Sequence, residues 1–373
     1  MDCPTEGPPL VLVGRTSYPR TVDTAIRLTR AEGLSRLRAM TMAMSRDRLL
    51  RLLEGARGKR IVVVGDAMLD VYLSGDVDRV SPEAPVPVVR VRERKHALGG
   101  AANVAQNVMA VGARCDLVAV VGRDRAGDVL RCMVEDVTGS ATSLVAVGRC
   151  TTQKTRVVGR SQQLVRVDEE EDVDLEGADM QRVVDALTHA LSSADALVLE
   201  DYNKGVLVPA VIAAAIRAAS ARTLPIVVDP KFKNFFAYRG ATIFKPNRRE
   251  LEAALGAAVD VDHPDAVPET LERLGVDHIL LTLGERGMAL FSTDGEIARL
   301  PTVAREVYDV VGAGDTVTAW LACMLAAGAT PVEAAEVANI AAGIEVGKLG
   351  AATVSPDEVL QIVDPRRQGE ARA

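Results

Sequence analysis

The sequence predicts an α/β protein with a mainly parallel central sheet covered by helices on both faces. From residue 177 onward, segments with helical spacing alternate with short apolar runs that are typical of buried parallel strands. The run Ile61–Val64 is entirely β-branched, as expected of a strand buried on both faces. Aromatic residues make up only 3% of the chain, whereas Ala, Val and Gly are abundant, and small residues let helices lie close to a sheet.

The predicted elements follow the alternation that such a sheet requires. The first half of the chain is predicted to contain helix 45–57, strand 60–65, helix 101–111, strand 116–121 and helix 127–135. The second half is predicted to contain helix 177–192, strand 196–200, helix 208–221, strand 225–228, strand 242–245, helix 248–255, helix 266–274 and strand 278–282. Right-handed crossovers then make the sheet parallel. Ligands of such sheets bind at the carboxyl ends of the strands.

Two further segments, about 71–98 and 151–168, have strand-like alternation but do not fit the parallel sheet. The stretch Ser81–Pro87 contains three prolines, which excludes a central strand. We expect these segments to form a small β lid over the strand ends. Exposed edge strands are usually paired or covered, so we also predict a homodimer in which the lids of two subunits contact each other.

The bulk properties exclude several classes of protein. A net charge of −7 argues against a nucleic-acid-binding surface. No apolar run reaches the length of a membrane span, so no membrane association is expected. The five cysteines form no CxxC pair and no His-linked spacing, which favours free thiols in a reducing compartment, and hence a cytoplasmic protein.

The two ends of the chain differ in composition from the part between them. Residues 1–44 hold four prolines and scattered arginines but only one short apolar stretch, Leu10–Val13. We expect a disordered extension there, or an incorrectly assigned start, with no function of its own. One domain is predicted over residues 45–362, followed by a tail at 363–373.

The segment Val310–Thr316 is the most informative part of the sequence. Gly312, Ala313 and Gly314 form a small-residue turn that opens into an apolar helical pattern, and Asp315 follows at its entrance. Backbone N–H groups in such a turn suit an anion, and the adjacent carboxylate can take a proton from an attacking alcohol. A dinucleotide fingerprint fits less well because its third glycine is missing. Helix capping by Asp315 is the simpler alternative.

Other polar residues lie where predicted strands end. Asp66 and Asp70 follow the first strand, and Gly99 and Gly100 precede Asn103 at a helix start. These groups could contact sugar hydroxyls, although the glycine pair could equally be an ordinary tight turn. Lys204 and Lys231 follow two later strands and could hold an anionic substrate, or be solvated.

Two motifs suit the nucleotide and its metal. Asn247 and Glu250 stand three positions apart, on one helix face, where they could hold a hydrated Mg²⁺; a hydrogen bond at the helix start is the alternative. Thr282, Gly284 and Gly287 form a glycine turn at a strand end, able to accept the phosphates or ribose of a nucleotide. The four histidines have no metal spacing, so no role is expected for them.

Together these motifs resemble the ribokinase (PfkB) family of carbohydrate kinases over about residues 58–362. The resemblance rests on the Gly-Gly…Asn, Asn-x-x-Glu, Thr-Leu-Gly and Gly-Ala-Gly-Asp motifs. It implies a ribokinase-like fold, ATP and Mg²⁺, with Asp315 as the base and Gly312, Ala313 and Gly314 stabilising the moving phosphoryl group. It also implies a nucleotide contact at Gly347. Asp309 and Val311 fall where some relatives bind a monovalent cation such as K⁺, but Glu345 replaces a small residue there.

Within that family, four regions resemble the subgroup that acts on heptose 7-phosphates: Gly65–Asp70, Ser81–Val88, Glu200–Gly205, and Val346–Gly350 with Ala352–Val354. The implied reaction is phosphorylation of the anomeric oxygen of D-glycero-β-D-manno-heptose 7-phosphate, in ADP-heptose synthesis for lipopolysaccharide. No HxGH motif of a fused nucleotidyltransferase occurs, so a stand-alone kinase is expected. The alternatives are a family kinase for another sugar, sugar phosphate or nucleoside, and a non-catalytic sugar or nucleotide sensor.

Overall fold

The computed structural model describes residues 37–38, 44–159, 162–261, 267–304 and 307–363. The chain divides into two units, Met1–Arg38 and Ala39–Ala373. Of the first unit, the described part is the short strand Leu37–Arg38. The predictions for most of residues 1–44 and for the tail at 364–373 therefore lie outside the described residues.

The described residues form fourteen strands and ten α-helices. The strands are β1 (Leu37–Arg38), β2 (Arg60–Gly65), β3 (Ala67–Val80), β4 (Pro87–Gly100), β5 (Arg114–Gly122), β6 (Leu144–Val147), β7 (Gln153–Gly159), β8 (Gln162–Glu169), β9 (Ala196–Glu200), β10 (Ile226–Asp229), β11 (Ile243–Phe244), β12 (His278–Thr282), β13 (Met288–Ser292) and β14 (Ile297–Leu300). The helices are α1 (Arg46–Ala56), α2 (Ala101–Val111), α3 (Arg125–Thr138), α4 (Gly177–Leu191), α5 (Pro209–Ser220), α6 (Arg248–Leu255), α7 (Val267–Leu274), α8 (Ala313–Ala326), α9 (Pro331–Glu345) and α10 (Pro356–Val363).

A large twisted sheet organises the second unit, with strand order β14-β13-β12-β11-β10-β9-β2-β5-β6. The strands from β12 to β6 in this order pair in parallel, whereas β13 and β14 add antiparallel strands at one edge. The predicted α/β fold with a mainly parallel sheet is thus confirmed. The antiparallel pair and β6 were not predicted.

The two faces of this sheet pack against different sets of helices. Along β2, Ile61 and Val63 belong to one hydrophobic core, while Val62 and Val64 belong to the other. The first core includes residues of α1, α2, α3, α8, α9 and α10, and the second includes residues of α4, α5, α6 and α7. This alternation follows from the two-residue period of a strand, and it explains why Ile61–Val64 are all apolar.

A second, four-stranded sheet has the order β4-β3-β7-β8 and is called the lid here. The long strands β3 and β4 pair antiparallel, and the proline-rich stretch Ser81–Val86 forms the turn between them. β7 joins β3 in parallel and continues through an antiparallel pairing with β8. The prolines thus lie where no ladder hydrogen bond is required.

Within the described ranges, no helix has both the length and the apolar character needed to cross a bilayer.

Candidate active site

The N-terminus of α8 forms the centre of the candidate site. Gly312 is its N-cap with φ of 96°, a backbone conformation that strains any residue with a Cβ. No side chain caps this helix end, and Gly314 in its first turn is exposed. Uncapped N–H groups at the positive end of a helix dipole favour an anion, so this turn is chemically suited to a phosphoryl group.

Asp315 lies in the first turn of α8 but does not cap it, so the capping alternative is wrong. Its carboxylate accepts hydrogen bonds from Asn103 Nδ2 at 2.6 Å and from Tyr202 Oη at 2.7 Å. The residue is only 5% exposed and, among the described residues, forms no ion pair. A buried carboxylate held by neutral donors can still accept a proton from a substrate.

The pKa of Asp315 suits such a base. Burial raises this pKa to about 6, against the hydrogen bonds from Asn103 and Tyr202, which lower it. Asp229 raises the pKa further, and Lys245 lowers it. The carboxylate is therefore ionised at neutral pH yet remains a stronger base than an exposed aspartate.

Asn103 links the early Gly-Gly motif to this turn. Gly100 has φ of 56°, and a Cβ there would clash with the Asp66 carbonyl oxygen, so the close turn before α2 requires glycine. The side chain of Asn103 is oriented by Asn107, whose Nδ2 donates to Asn103 Oδ1 at 3.3 Å and also to the Asn103 backbone carbonyl oxygen at 3.0 Å. The predicted contact of Asn103 with sugar hydroxyls stays a prediction; the observed partner of its amide is Asp315.

Asp70 lies on β3, near Gly99 of the paired strand β4. A Cβ at Gly99 would lie only 2.8 Å from Asp70 Oδ2, so the glycine leaves room for this carboxylate. Asp70 Oδ1 accepts a hydrogen bond from Arg156 Nη1 at 2.6 Å in a largely buried ion pair. Arg156 comes from lid strand β7 and was not identified from the sequence. Within the lid, it joins β7 to a residue of β3 that is predicted to bind sugar.

Asp66 anchors the loop after β9. Its side chain is 1% exposed, and its oxygens accept hydrogen bonds from the backbone N–H groups of Tyr202, Lys204 and Val206, at 2.8, 3.0 and 3.1 Å. These bonds organise the loop after β9, whose amides would otherwise lack partners. Asp66 is thus a loop-positioning residue in this structure, and its predicted contact with sugar hydroxyls stays a prediction.

The two predicted phosphate-binding lysines lie in different surroundings. Lys204 Nζ contacts Glu170 at 2.8 Å, and Lys154 of the lid contacts the same carboxylate at 2.9 Å. Lys231 Nζ instead contacts Glu250 at 2.5 Å and lies 5.3 Å from the centre of the Tyr202 ring. Lys231 is therefore placed beside the predicted magnesium residues rather than in a shared pair with Lys204.

Asn247 and Glu250 form a capping box at the start of α6. Asn247 Oδ1 accepts from the Glu250 N–H at 2.9 Å, and Glu250 Oε2 accepts from the Asn247 N–H at 2.8 Å. The helix-start alternative is therefore realised in this structure. Since one Glu250 oxygen is bound to Lys231, contact with a metal through water would use the remaining lone pairs.

A buried acidic cluster lies beside Asp315. One carboxylate oxygen each from Glu200, Asp229 and Asp315 lie within 4.8 Å of one another. Both Glu200 oxygens lack a hydrogen-bond partner among the described residues, and burial raises the pKa of Glu200 well above its usual value. Lys245 Nζ binds Asp229 at 2.7 Å. Glu200 ends β9, Asp229 ends β10 and Lys245 directly follows β11, so the rule that ligands bind at strand ends could have found all three. None of them was assigned a site role from the sequence.

The predicted nucleotide residues lie at two places in the fold, three of them at the end of β12 and one after α9. Thr282 ends β12 and forms an isolated bridge with Asn247, and its N–H donates to the Pro246 carbonyl. Gly284 and Gly287 shape the tight turn that follows, with φ of 61° and 82°. Gly347 follows α9, and its N–H donates to the Ile344 carbonyl. The nucleotide contacts of these four residues stay predictions.

The residues predicted for a monovalent cation lie near a buried carboxylate, that of Glu345. Asp309 accepts hydrogen bonds from the backbone N–H groups of Val311 at 3.0 Å and of Gly350 at 3.2 Å. Glu345 is fully buried, and its Oε1 would lie 3.3 Å from a Cβ on Gly312. Burial raises the pKa of Glu345 to about 8, with Asp309 and Asp315 adding to the effect.

The fold and this site together define a carbohydrate kinase. Residues 59–358 match the pfkB family carbohydrate kinases, and the chain belongs to that family.

Two similar proteins extend the assignment to this family. The chain is 43% identical over 323 residues to "Bifunctional protein HldE" of Trichlorobacter lovleyi, covering 86% of this chain and 66% of the relative. It is 45% identical over 324 residues to the protein of the same name from Pelobacter propionicus, with the same two coverages. The chain thus spans slightly less than two thirds of the length of these relatives.

Solved structures support the fold. A ribokinase of Arabidopsis thaliana complexed with ribose and ATP has a TM-score of 0.64 at 19% identity, covering 82% of this chain and 99% of its own. Phosphofructokinase-2 of Escherichia coli, in complex with substrates and products, has a TM-score of 0.69 at 18% identity, covering 82% and 98%. At these identities the likeness shows a shared ribokinase-like fold.

Proposed function

We propose that the protein transfers the γ-phosphoryl group of ATP to the anomeric oxygen of D-glycero-β-D-manno-heptose 7-phosphate, giving the 1,7-bisphosphate. The observation that carries this proposal is Asp315, buried at an uncapped helix N-terminus with a pKa of about 6. The identity of 43% to the HldE protein and the motif resemblance of Gly65–Asp70 and Glu200–Gly205 support a heptose phosphate as substrate. The product would serve ADP-heptose synthesis for lipopolysaccharide.

The chemistry follows from the positions of the protein's own groups. Asp315 takes the proton of the anomeric hydroxyl as the sugar oxygen forms its bond to the γ-phosphorus. The bond to the bridging oxygen breaks, and its electron pair stays on the released ADP. The first-turn N–H groups of α8 stabilise the charge on the phosphoryl group. Asp70, held by Arg156, orients the sugar.

The site also fits the Mg²⁺ that accompanies ATP. Both Glu200 oxygens are buried without partners and lie beside Asp229, and oxygen ligands of this kind suit a hard cation. Glu200 and Asp229 would hold the ion, with Asn247 and Glu250 acting through water. When bound, Mg²⁺ neutralises charge on the transferring phosphates.

A K⁺ ion would be held by Asp309 and Val311, together with Glu345. The Escherichia coli phosphofructokinase-2 of the same fold has been solved in complex with potassium.

A substrate panel tests the proposal. Heptose 7-phosphate, the unphosphorylated heptose, fructose 6-phosphate, ribose and a nucleoside are each assayed with ATP by coupled ADP detection. We expect kcat/KM for heptose 7-phosphate to exceed that for the unphosphorylated sugar by at least about 100-fold, because a charged phosphate contact is lost. Preference for another sugar would support the alternative family kinase. Tight ATP binding without ADP release for any sugar would support a sensor.

Lys204 and Lys154 are the candidates for holding the substrate phosphate. Both contact Glu170, at 2.8 and 2.9 Å, and an incoming phosphate would replace that carboxylate as their anionic partner. We expect Lys204→Met to raise KM for heptose 7-phosphate by about tenfold or more. Lys233→Met is the matched control, since Lys233 forms an exposed ion pair with Asp174. An equal change in KM in both variants would contradict this assignment.

We further propose a cytoplasmic homodimer formed through the lids. β8 is an edge strand of the lid, and Val165 and Val167 on it are each 49% exposed. Burying such a row of side chains against a second copy would remove apolar surface from water. We expect V165K/V167K to convert a dimer to a monomer in light scattering, while V173K, at a position 65% exposed outside the lid strands, leaves the dimer intact. A wild-type monomer would contradict the proposal.

A further inference from the structure

We propose that Lys245 is a catalytic residue that contacts the phosphoryl group during transfer. The proposal deepens the function above, because it assigns a cation to the same reaction. Lys245 was not among the residues identified from the sequence. It follows strand β11 directly, and three observations about its position carry the proposal.

The first observation is the position of the ammonium group beneath the phosphoryl-binding turn. Lys245 Nζ lies 3.6 Å from the position that a Cβ on Gly314 would occupy. Gly314 is exposed and has no side chain, so only the width of a missing methyl group separates the ammonium from the open first turn of α8. A phosphoryl group bound by the N–H groups of that turn would therefore meet Lys245 as well.

The second observation concerns hydrogen bonds. An ammonium group carries three donors. Among the described residues, the one hydrogen-bond acceptor of Lys245 Nζ is Asp229, at 2.7 Å. Lys245 is 3% exposed, so water does not readily satisfy the remaining donors. Two donors are thus left for a ligand, and phosphoryl oxygens supply acceptors of the right charge.

The third observation is that the ammonium group is held in a fixed position. Its ion pair with Asp229 has a distance of 2.7 Å, and the side chains of both residues are buried. Because the charge is preorganised in a site with little water, it acts on the transition state without the cost of reorienting solvent.

The chemical role is electrostatic. As Asp315 removes the sugar proton and the bond to the bridging oxygen of ATP breaks, negative charge spreads over the oxygens of the transferring group. Lys245 neutralises part of this charge and keeps its own protons. It forms and breaks no covalent bond.

The test compares binding of a transition-state mimic with binding of the nucleotide alone. ADP is titrated into the full chain with and without aluminium fluoride, which mimics a phosphoryl group in transfer, so this readout does not require the correct sugar. In wild-type protein, aluminium fluoride should tighten ADP binding. We expect Lys245→Met to lose this enhancement while binding ADP alone within about threefold of wild type, and to lose about 10²–10³-fold in kcat. Lys245→Arg, which keeps the charge, should recover at least about tenfold of that loss in kcat.

A second pair of variants controls for folding. Lys245→Met leaves Asp229 buried without its partner, so Lys245→Gln, which can still donate a hydrogen bond to Asp229, removes the charge alone. We expect K245Q to lose the enhancement, whereas K233M, which removes a lysine from an exposed ion pair with Asp174, keeps it. An enhancement in K245M or in K245Q equal to that of wild type would overturn the proposal. Equal loss in K233M would overturn it too. If these variants behave as expected but heptose 7-phosphate is not phosphorylated, only the proposed substrate fails.

Discussion

The hydroxyl of Tyr202 donates a hydrogen bond of 2.7 Å to Asp315, the carboxylate at the centre of the site. Tyr202 belongs to the loop after β9, and Asp66 anchors this loop by accepting from the Tyr202 backbone N–H at 2.8 Å. Asp66 thus positions the tyrosine that orients the base. The arrangement leads to the first prediction.

Replacing Tyr202 with Phe should shift the pH dependence of the reaction. The hydrogen bond from Tyr202 lowers the pKa of Asp315, which burial raises to about 6. Because the base acts in its ionised form, wild-type kcat/KM should fall as pH decreases through about 6. In Y202F the pKa of Asp315 rises. The acidic limb of the profile, where kcat/KM falls, should therefore move to higher pH by about one pH unit for the loss of one hydrogen bond. A kcat/KM profile from pH 5 to 9 measures the shift.

A limb that stays in place in Y202F would contradict this role. Tyr238→Phe provides the control, because Tyr238 donates a similar 2.7 Å hydrogen bond to Asp201, a different buried carboxylate. Its profile should keep the wild-type limb.

Replacing Asp70 with Asn should weaken sugar binding selectively. The change keeps the size of the side chain but removes the charge that Arg156 and the sugar hydroxyls would share. We expect KM for the sugar phosphate to rise about tenfold or more, with KM for ATP unchanged, in initial-rate measurements. Asp76→Asn is the matched variant, since Asp76 pairs with Arg92 on the exposed part of the lid. Similar effects in both variants would exclude a special role for Asp70.

Replacing Glu250 with Gln should change the dependence of activity on Mg²⁺. The chain offers an unusually close control, because Thr330 and Glu333 form a second capping box, in which Glu333 pairs with Arg48 as Glu250 pairs with Lys231. Glu333→Gln is therefore the control. Both E250Q and E333Q should lose about 1 kcal/mol or less of stability from the cap. Only E250Q should need several times more Mg²⁺ for half-maximal rate, as measured in a Mg²⁺ titration at saturating ATP. An unchanged midpoint would remove Glu250 from the metal site.

Replacing Glu345 with Gln should stabilise the protein at high pH. The pKa of Glu345 is raised from 4.5 to about 8 in the folded protein, so folding favours the protonated form. Wild-type stability should therefore decline as pH increases from about 4.5 to 8, and the Gln variant should lack this decline. We expect Tm of E345Q to exceed that of wild type by at least ~2 °C at pH 8.5 but not at pH 5.

The same comparison in KCl and in tetramethylammonium chloride tests the K⁺ proposal. A K⁺ ion bound by Glu345 would favour its ionised form and reduce the difference in Tm at pH 8.5. A difference in Tm that is independent of pH would contradict the assigned environment of Glu345.

Much of the fold could be predicted because its signals are local. The β-branched run of β2 and the spacing of α6 gave the observed bounds, Arg60–Gly65 and Arg248–Leu255. The rule that ligands gather at strand ends also predicted that residues distant in sequence would meet, and Asn103 and Asp315 do so at 2.6 Å. The antiparallel strands β13 and β14 were missed because no helix separates them, so the alternation used for the rest of the sheet is absent.

The site was less predictable, because the sequence shows which residues end strands but not which way their side chains turn. Asp66 and Asp70 both follow β2, and both were predicted to contact sugar hydroxyls. Asp66 is bound by three backbone amides, since the adjacent loop needs acceptors, whereas Asp70 pairs with Arg156 on the neighbouring strand β7. Lys245 and Tyr202 acquire their roles through neighbours on other strands, and these contacts depend on tertiary packing.

The most direct test of the central claim is single-turnover phosphoryl transfer by Asp315→Asn. The variant keeps the size of the side chain and can still hydrogen bond to Asn103 or Tyr202, but it cannot accept the sugar proton. If Asp315 is the base, transfer should slow by about 10²–10⁴-fold while the affinity for ADP stays within about threefold of wild type. Transfer within about tenfold of the wild-type rate would show that the proton goes elsewhere, and the mechanism built on Asp315 would be wrong.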